Sequence, residues 1–189
     1  AETTAAADNA ETTAAEGAET EAAAGAEGGT LKIGVIGPLT GAGAAYGNAV
    51  ANGAELAAKE INEAGGINGM MIETKAEDDE NDPEKSINPL KDWGMQVLDG
   101  PTTSKPCIAV GAEAESDNMF LITPSGSAVE CVATDNAFRV CYSDPDQGRA
   151  SAQYIGEHKL ATKIAIIYDS SSEYSDGIRE SFVAEAPNQ

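Results

Sequence analysis

Residues 31–69 decide the fold of this chain, and they read LKIGVIGPLTGAGAAYGNAVANGAELAAKEINEAGGING. The first six of them are apolar on both faces, with Ile33 and Val35 on one face and Ile36 on the other. This pattern is typical of a strand that lies buried in a parallel sheet. Small residues follow over 37–47 and predict a loop in which backbone amides can approach a ligand closely.

An amphipathic helix is predicted after this loop. Its apolar stripe has helical spacing and comprises Val50, Ala54, Ala57 and Ile61. Gly65 and Gly66 end the helix, because glycine readily adopts the left-handed conformation that closes a helix. Ligands of open α/β sheets bind beyond the carboxyl ends of the strands. We therefore expect a site near the loop at 40–46.

Length and charge narrow the class of protein. The chain has 189 residues, which is enough to bury a real core. Its formal net charge is −21, with 11 Lys and Arg against 32 Asp and Glu. This balance argues against nucleic acid and anionic membrane surfaces as partners, and it favours a soluble monomer kept apart by self-repulsion. The sequence has no apolar run of about 18 residues, so no membrane-spanning segment is predicted.

The three cysteines are Cys107, Cys131 and Cys141, and their spacing matches no metal-binding motif. The single histidine, His158, completes no metal cluster, and no cofactor is indicated. Free or partly buried thiols are the simplest interpretation. A disulfide within the set stays open, and the odd number would leave one thiol over.

Residues 1–29 have a composition unlike the rest of the chain. They are rich in Ala, Glu, Thr and Gly, they contain acids but no bases, and they lack Leu, Ile, Val and aromatic residues. Such a segment buries too little apolar surface to offset its ordering entropy. We interpret 1–29 as a disordered acidic tether of low complexity; an alanine-rich helix is the alternative.

Further strands alternate with helices along the chain. They are predicted at 70–75, 95–98, 119–122 and 163–168, with another extended segment at 137–142. Helices are predicted from Asp82-Pro83, from Ser104 as a capping residue, over 144–159, and from near Asp176. The acidic run at 77–82 does not have calcium-loop spacing and is interpreted as a solvated loop. This alternation predicts a doubly wound α/β protein with a parallel sheet.

Hydroxyl-rich turns follow two of these strands. Residues 100–104 read GPTTS and residues 123–127 read TPSGS. In a parallel sheet these turns and the loop at 37–47 lie at one edge, where hydroxyls and free amides can bind a small polar ligand.

The sequence motifs that would indicate nucleotide binding or catalysis are weak or absent. Residues 41–46, GAGAAY, resemble a dinucleotide fingerprint, but the third glycine comes one place late at Gly47. The sequence has no phosphate-binding Gly-Lys-Ser/Thr, no Gly-x-Ser-x-Gly and no nucleophile with a base beside it. We therefore predict no enzyme and no catalytic residue; a nucleotide-dependent α/β enzyme remains the alternative from another class.

Seven segments in order carry a family likeness over roughly 31–182. They read IGVIGPLTG, AAYGNAVANGAELAAKEINEAGGING, DDENDP, VLDGPTTS, LITPSGSA, FRVCYSDPDQG and KIAIIYDSSSEYSDG. Together they resemble the periplasmic-type Leu/Ile/Val-binding proteins, the extracytoplasmic amino-acid receptors of ABC transporters. The resemblance implies two α/β lobes that close on one amino acid, with 30–143 as lobe I and 144–189 as the start of lobe II.

The same resemblance implies five ligand-binding residues. Ser104 would hold the ligand carboxylate with its hydroxyl and amide, and Ser125 would offer its carbonyl to the ammonium group. Ser127 would help to fix both charged ends. Tyr46 would line the side-chain pocket, and Tyr174 would cover the ligand when the lobes close.

The resemblance also implies partners and a location. An amino acid, branched-chain or another small aliphatic one, would be the ligand, and the permease subunits of an ABC importer would be the protein partners. The location would be extracytoplasmic, either the periplasm or the cell surface as a lipoprotein anchored ahead of the tether. A ligand-sensing domain of the same fold is the second interpretation. The chain is about half the family length, which indicates a C-terminal truncation, and Asn81 stands where the family has a disulfide cysteine.

Overall fold

The computed structural model of the chain describes residues 28–80 and 83–189. Its strands are β1 (Thr30–Gly37), β2 (Met71–Asp78), β3 (Val97–Asp99), β4 (Phe120–Thr123) and β5 (Ala137–Arg139). Its α-helices are α1 (Ala44–Glu63), α2 (Pro83–Trp93), α3 (Ser104–Ser116), α4 (Asp144–Glu157) and α5 (Glu173–Glu185). The strands form one sheet in the order β2-β1-β3-β4-β5, and every pair is parallel. The α/β class with a parallel sheet is confirmed.

The main core lies between the sheet and helices α2 and α3. Ile36, Leu98 and Leu121 project from three neighbouring strands and are fully buried. Helix α2 contributes Ile87 and Leu90 to the same cluster. The alternation predicted for β1 is confirmed, because Ile36 belongs to this cluster while Val35 is buried outside it.

Helix α1 packs on β1 and β2, and its apolar stripe differs by one position from the prediction. Ala58 is buried and Ala57 is exposed. The helix also begins at Ala44, within the stretch predicted as a loop. Gly47 permits this early start, because a Cβ atom there would lie 2.2 Å from the carbonyl oxygen of Pro38.

The acidic run at 77–82 is predicted as a solvated loop, but its first two residues lie in a strand instead. Glu77 and Asp78 are the last residues of β2, paired with the end of β1. The Asp78 carboxylate accepts hydrogen bonds from the amide of Leu39 at 2.9 Å and from the hydroxyl of Thr40 at 2.5 Å. The hydrogen bond from Thr40 lowers the pKa of Asp78. This carboxylate therefore fastens the loop that follows β1.

The segment 163–168 is not the buried strand that its sequence predicts. Among the described residues it pairs with no strand, and Ile167 is 100% exposed. Its Tyr168 ring lies 4.9 Å from the guanidinium of Arg179 on α5. The apolar pattern alone cannot form a strand, because a strand also needs a neighbour for its amides and carbonyls.

Other predicted boundaries shift by a few residues. β3 begins at Val97 rather than at residue 95, β5 ends at Arg139 rather than at 142, and α5 begins at Glu173 rather than near 176. Helix α2 continues through Pro89. The predicted capping residue Asp82, Asn81 and the tether up to residue 27 lie outside the described residues. No helix among the described residues has both the length and the apolar character needed to cross a membrane.

Replacing Leu98 by alanine should destabilise the chain by about 2–5 kcal/mol, because the side chain is fully buried and a cavity would remain. Ile167→Ala is the matched control and should change the free energy of unfolding by less than about 0.5 kcal/mol. Urea unfolding followed by circular dichroism measures both. Equal losses in the two variants would contradict the assignment of the core.

Candidate ligand-binding site

A cleft of about 650 Å³ opens at the carboxyl edge of the sheet. The ends of β1, β3 and β4 stand side by side there, since Val35 pairs with Asp99 and Asp99 with Ile122. All five residues proposed from the sequence line this one cleft, namely Tyr46, Ser104, Ser125, Ser127 and Tyr174. The remaining lining residues include Thr102, Thr103, Lys105, Cys141, Tyr142 and Glu173.

Ser104 is the first residue of α3, not its capping residue. Thr103 occupies the capping position, and its side chain makes no capping hydrogen bond. The hydroxyl of Ser104 instead accepts a hydrogen bond from the amide of Ala128 at 3.2 Å. Ser104 therefore joins the start of α3 to the turn after β4, and it stands where the partial positive charge of the helix N-terminus faces the cleft.

Ser125 and Ser127 are held by the neighbouring turn and by β5. The Ser125 hydroxyl donates to the carbonyl of Thr102 at 2.8 Å. The buried Ser127 offers its carbonyl oxygen to a guanidinium nitrogen of Arg139 and to the amide of Asp144, each at 3.0 Å. Both serines are therefore positioned by hydrogen bonds to neighbouring segments of the chain.

Thr123 connects the two hydroxyl-rich turns. Its buried hydroxyl donates to the carbonyl of Pro101 at 2.7 Å and accepts from the amide of Gly126 at 2.8 Å. A Cβ atom on residue 126 would lie only 2.8 Å from this hydroxyl oxygen, so glycine is required for the close approach. The relative position of Ser104 and Ser127 depends on this contact.

The two tyrosines come from helices. Tyr46 lies in the first turn of α1 and is 67% exposed, and Tyr174 lies in the first turn of α5 and is 45% exposed. They belong to segments far apart in the sequence, and both reach the same cleft. Their large exposed rings can therefore contact a ligand from two sides.

Asp144 was missed as a candidate and lies directly behind Ser127. The residue is 1% exposed, and both carboxylate oxygens are buried. Burial raises its pKa. Its position at the start of α4 suggested only helix initiation, and Ser143 is the capping residue, accepting from the amide of Asp146 at 3.2 Å.

Asp99 ends β3 next to the turn that leads to Ser104. Burial raises its pKa to about 6. The carboxyl group therefore keeps its proton at a higher pH in the folded chain than in the unfolded chain.

The lining of the cleft is suited to binding. It offers hydroxyls, backbone amides at the start of α3, one lysine and three tyrosine rings. Within residues 28–80 and 83–189, no group of three or more metal-ligating side chains is assembled. These groups can hold a small zwitterion by hydrogen bonds.

The cleft lies where open α/β sheets bind ligands, beyond the carboxyl ends of the strands. The family model described as periplasmic binding protein matches residues 30–189. The chain belongs to this family, whose members are solute-binding receptors and not enzymes.

Individual relatives are consistent with this family. The chain is 32% identical over 159 residues to the Leu/Ile/Val-binding protein homolog 3 of Brucella melitensis, covering 82% of this chain and 43% of that protein. It is 32% identical over 154 residues to the leucine-, isoleucine-, valine-, threonine- and alanine-binding protein of Pseudomonas aeruginosa, covering 79% of this chain and 41% of that protein. The chain thus spans less than half the length of these curated relatives.

A solved structure shows the same fold. The branched-chain amino acid transporter substrate-binding protein LivJ from Streptococcus pneumoniae, in complex with isoleucine, has a TM-score of 0.77 and 34% identity. The match covers 82% of this chain and 46% of that chain.

Thr123→Val should lower the free energy of unfolding by about 1–3 kcal/mol, because the carbonyl of Pro101 and the amide of Gly126 would remain buried without their partner. The exposed Thr162→Val is the control and should shift it by less than about 0.5 kcal/mol. Urea midpoints of both variants test this. An unchanged midpoint for the Thr123 variant would refute its bracing role.

The raised pKa of Asp99 predicts a pH-dependent contribution to stability. Between the usual Asp pKa of 3.8 and about 6, the native state binds more protons than the unfolded state. The stabilising contribution of Asp99 to the free energy of unfolding is therefore complete below pH 3.8. It is lost as pH rises to about 6, by about 1–3 kcal/mol. Asp99→Asn should remove this loss.

Urea unfolding at several pH values from about 4 to 7 measures the difference between the wild type and the variant. Asp92→Asn, at an exposed position of α2, is the control and should follow the wild type. A constant difference between wild type and Asp99→Asn over this range would contradict the shift.

Proposed function

We propose that this chain forms the ligand-binding part of an extracytoplasmic receptor for a small aliphatic amino acid, which it delivers to an ABC importer. The observation that carries the proposal is the convergence of Ser104, Ser125 and Ser127 on one cleft at the carboxyl edge of the sheet. The names of the relatives support the ligand class, since they include leucine, isoleucine and valine binding.

The carboxylate of the amino acid would bind at the start of α3. The hydroxyl and amide of Ser104 are the donors there, and the helix N-terminus favours a negative group. Lys105 lines the same part of the cleft and adds a positive charge. A carboxylate is therefore the end of the ligand that this wall favours.

The ammonium group would bind at the turn after β4. The carbonyl of Ser125 and the hydroxyl of Ser127 are acceptors at this wall. Glu173 also lines the cleft and contributes the negative charge that an ammonium group prefers. The two charged ends of one amino acid are thus matched by groups of opposite polarity.

The aliphatic side chain would lie between the rings of Tyr46 and Tyr174. Residues 30–143 would form lobe I and residues 144–189 the start of lobe II, so that each lobe supplies one ring. Because both rings are exposed, closing them on an apolar side chain would bury apolar surface on both sides. This arrangement supports binding with closure and requires no chemical step.

The closed form would be the one that permease subunits recognise. An extracytoplasmic location accompanies this role in the family. Attachment to the cell surface through a lipid ahead of residues 1–29 is a further part of the proposal, and those residues would act as the acidic tether.

Millimolar leucine, isoleucine, valine or alanine should raise the thermal unfolding midpoint, because a ligand that binds only the native state stabilises it by about 2.7 kcal/mol at a hundredfold excess over Kd. The double variant Ser104→Ala with Ser127→Ala should abolish the shift. Ser151→Ala, at an exposed position of α4, should leave it unchanged.

Phosphate and NAD serve as the competing ligands in the same assay and should produce no shift. A shift by NAD would instead favour a nucleotide-dependent enzyme. No shift with any of the amino acids, or an equal shift in the double variant, would contradict the proposed receptor site.

A further inference from the structure

Two buried thiols meet directly behind the cleft. Cys107 lies in the first turn of α3, and Cys131 lies in the short 3-10 turn Val129–Val132. Both are 0% exposed. Each sulfur atom lies 3.2 Å from the position that a Cβ atom on Gly126 would occupy, so both sulfurs lie against the same glycine, and both are free thiols in this structure.

Each of the two thiols makes a contact with a backbone carbonyl group. The Cys107 thiol donates to the carbonyl of Cys131 at 3.9 Å, and the Cys131 thiol donates to the carbonyl of Ser104 at 3.7 Å. Hydrogen bonding with Cys131, together with burial, raises the pKa of Cys107, and the same hydrogen bond lowers the pKa of Cys131. Sulfur makes only weak hydrogen bonds, so these contacts contribute little to the position of the two thiols.

We propose that Cys107 and Cys131 are joined by a disulfide that ties the start of α3 to the 3-10 turn behind Ser104 and Ser127. The sequence left such a bond open but could not select the pair. The structure favours this pair, because Cys107 and Cys131 are in the same buried cluster while Cys141 is partly exposed at the cleft. Cys141 is then the single thiol left over.

The bond forms by exchange with a disulfide oxidant, either oxidised glutathione or a protein disulfide. The Cys131 thiolate attacks one sulfur of the oxidant, which breaks the oxidant's S–S bond, makes a mixed disulfide and releases the first thiol. Cys107 then loses its proton and attacks the Cys131 sulfur, which releases the second thiol. Two thiols are oxidised to one disulfide, and the oxidant is reduced by the same two electrons.

This exchange takes place while the chain folds, because both sulfurs are out of reach of an oxidant in the folded state. An extracytoplasmic location supplies oxidising conditions of this kind. The closed loop between the two cysteines restricts the unfolded chain and should stabilise the site's two serine-bearing walls together.

Thiol counting tests the bond without reference to ligand binding. The full chain is refolded with oxidised glutathione, unfolded in guanidinium without reductant and alkylated. One alkylated cysteine is expected, mapped to Cys141, with a Cys107–Cys131 cross-link in the unreduced peptide map. Three alkylated cysteines, or a cross-link that includes Cys141, would overturn the proposal.

Variants give a second readout. A reductant should lower the thermal midpoint of the wild type and of Cys141→Ala by roughly 5–15 °C, the loss typical of one disulfide in a chain of this size. It should leave the double variant Cys107→Ala with Cys131→Ala unchanged. If the reductant has no effect on Cys141→Ala, the pair is not bonded. Because this readout uses no ligand, the disulfide proposal and the receptor-site proposal can be contradicted independently of each other.

Discussion

The hydroxyl of Thr123 is the contact on which the cleft depends. It joins the carbonyl of Pro101 to the amide of Gly126 inside the protein, and so it sets the distance between two turns that arise from different strands. Buried polar groups of the backbone must be satisfied, and one side chain satisfies two of them here. Ser104 and Ser127 face the cleft together because this bridge holds the turns, together with the hydrogen bond from the amide of Ala128 to the hydroxyl of Ser104.

The sheet is covered unevenly, and this explains where apolar surface remains. Leu98 and Leu121 on one face are fully buried by α2 and α3. On the opposite face the rings of Phe120 and Phe138 stack at 5.2 Å between centroids and remain 43% and 49% exposed. The segment 163–168 is exposed as well. Among the described residues, some apolar side chains therefore have no helix or strand that covers them.

The sequence predicted most of the strands and helices but misplaced several of their details. The strand at 31–36 and the helices after it follow from local apolar periodicity, which depends on neighbours along the chain. Ala57 and Ala58 could not be distinguished, because adjacent alanines both suit the edge of a stripe. The five proposed ligand residues came from the family resemblance, and they reach one cleft. Asp144 was overlooked because its burial depends on Ser127 and α5, which are distant in sequence.

By itself, the sequence determined the alternation of strand and helix, the family and the three turns rich in small or hydroxylic residues. Each of these is encoded in residue types at short spacing. Only the tertiary structure decided that Tyr46 and Tyr174 stand in helices at one cleft, that Cys107 and Cys131 meet behind it, and that 163–168 pair with no strand among the described residues. The physical reason is that pairing and burial need a partner from elsewhere in the chain, and local pattern does not specify that partner.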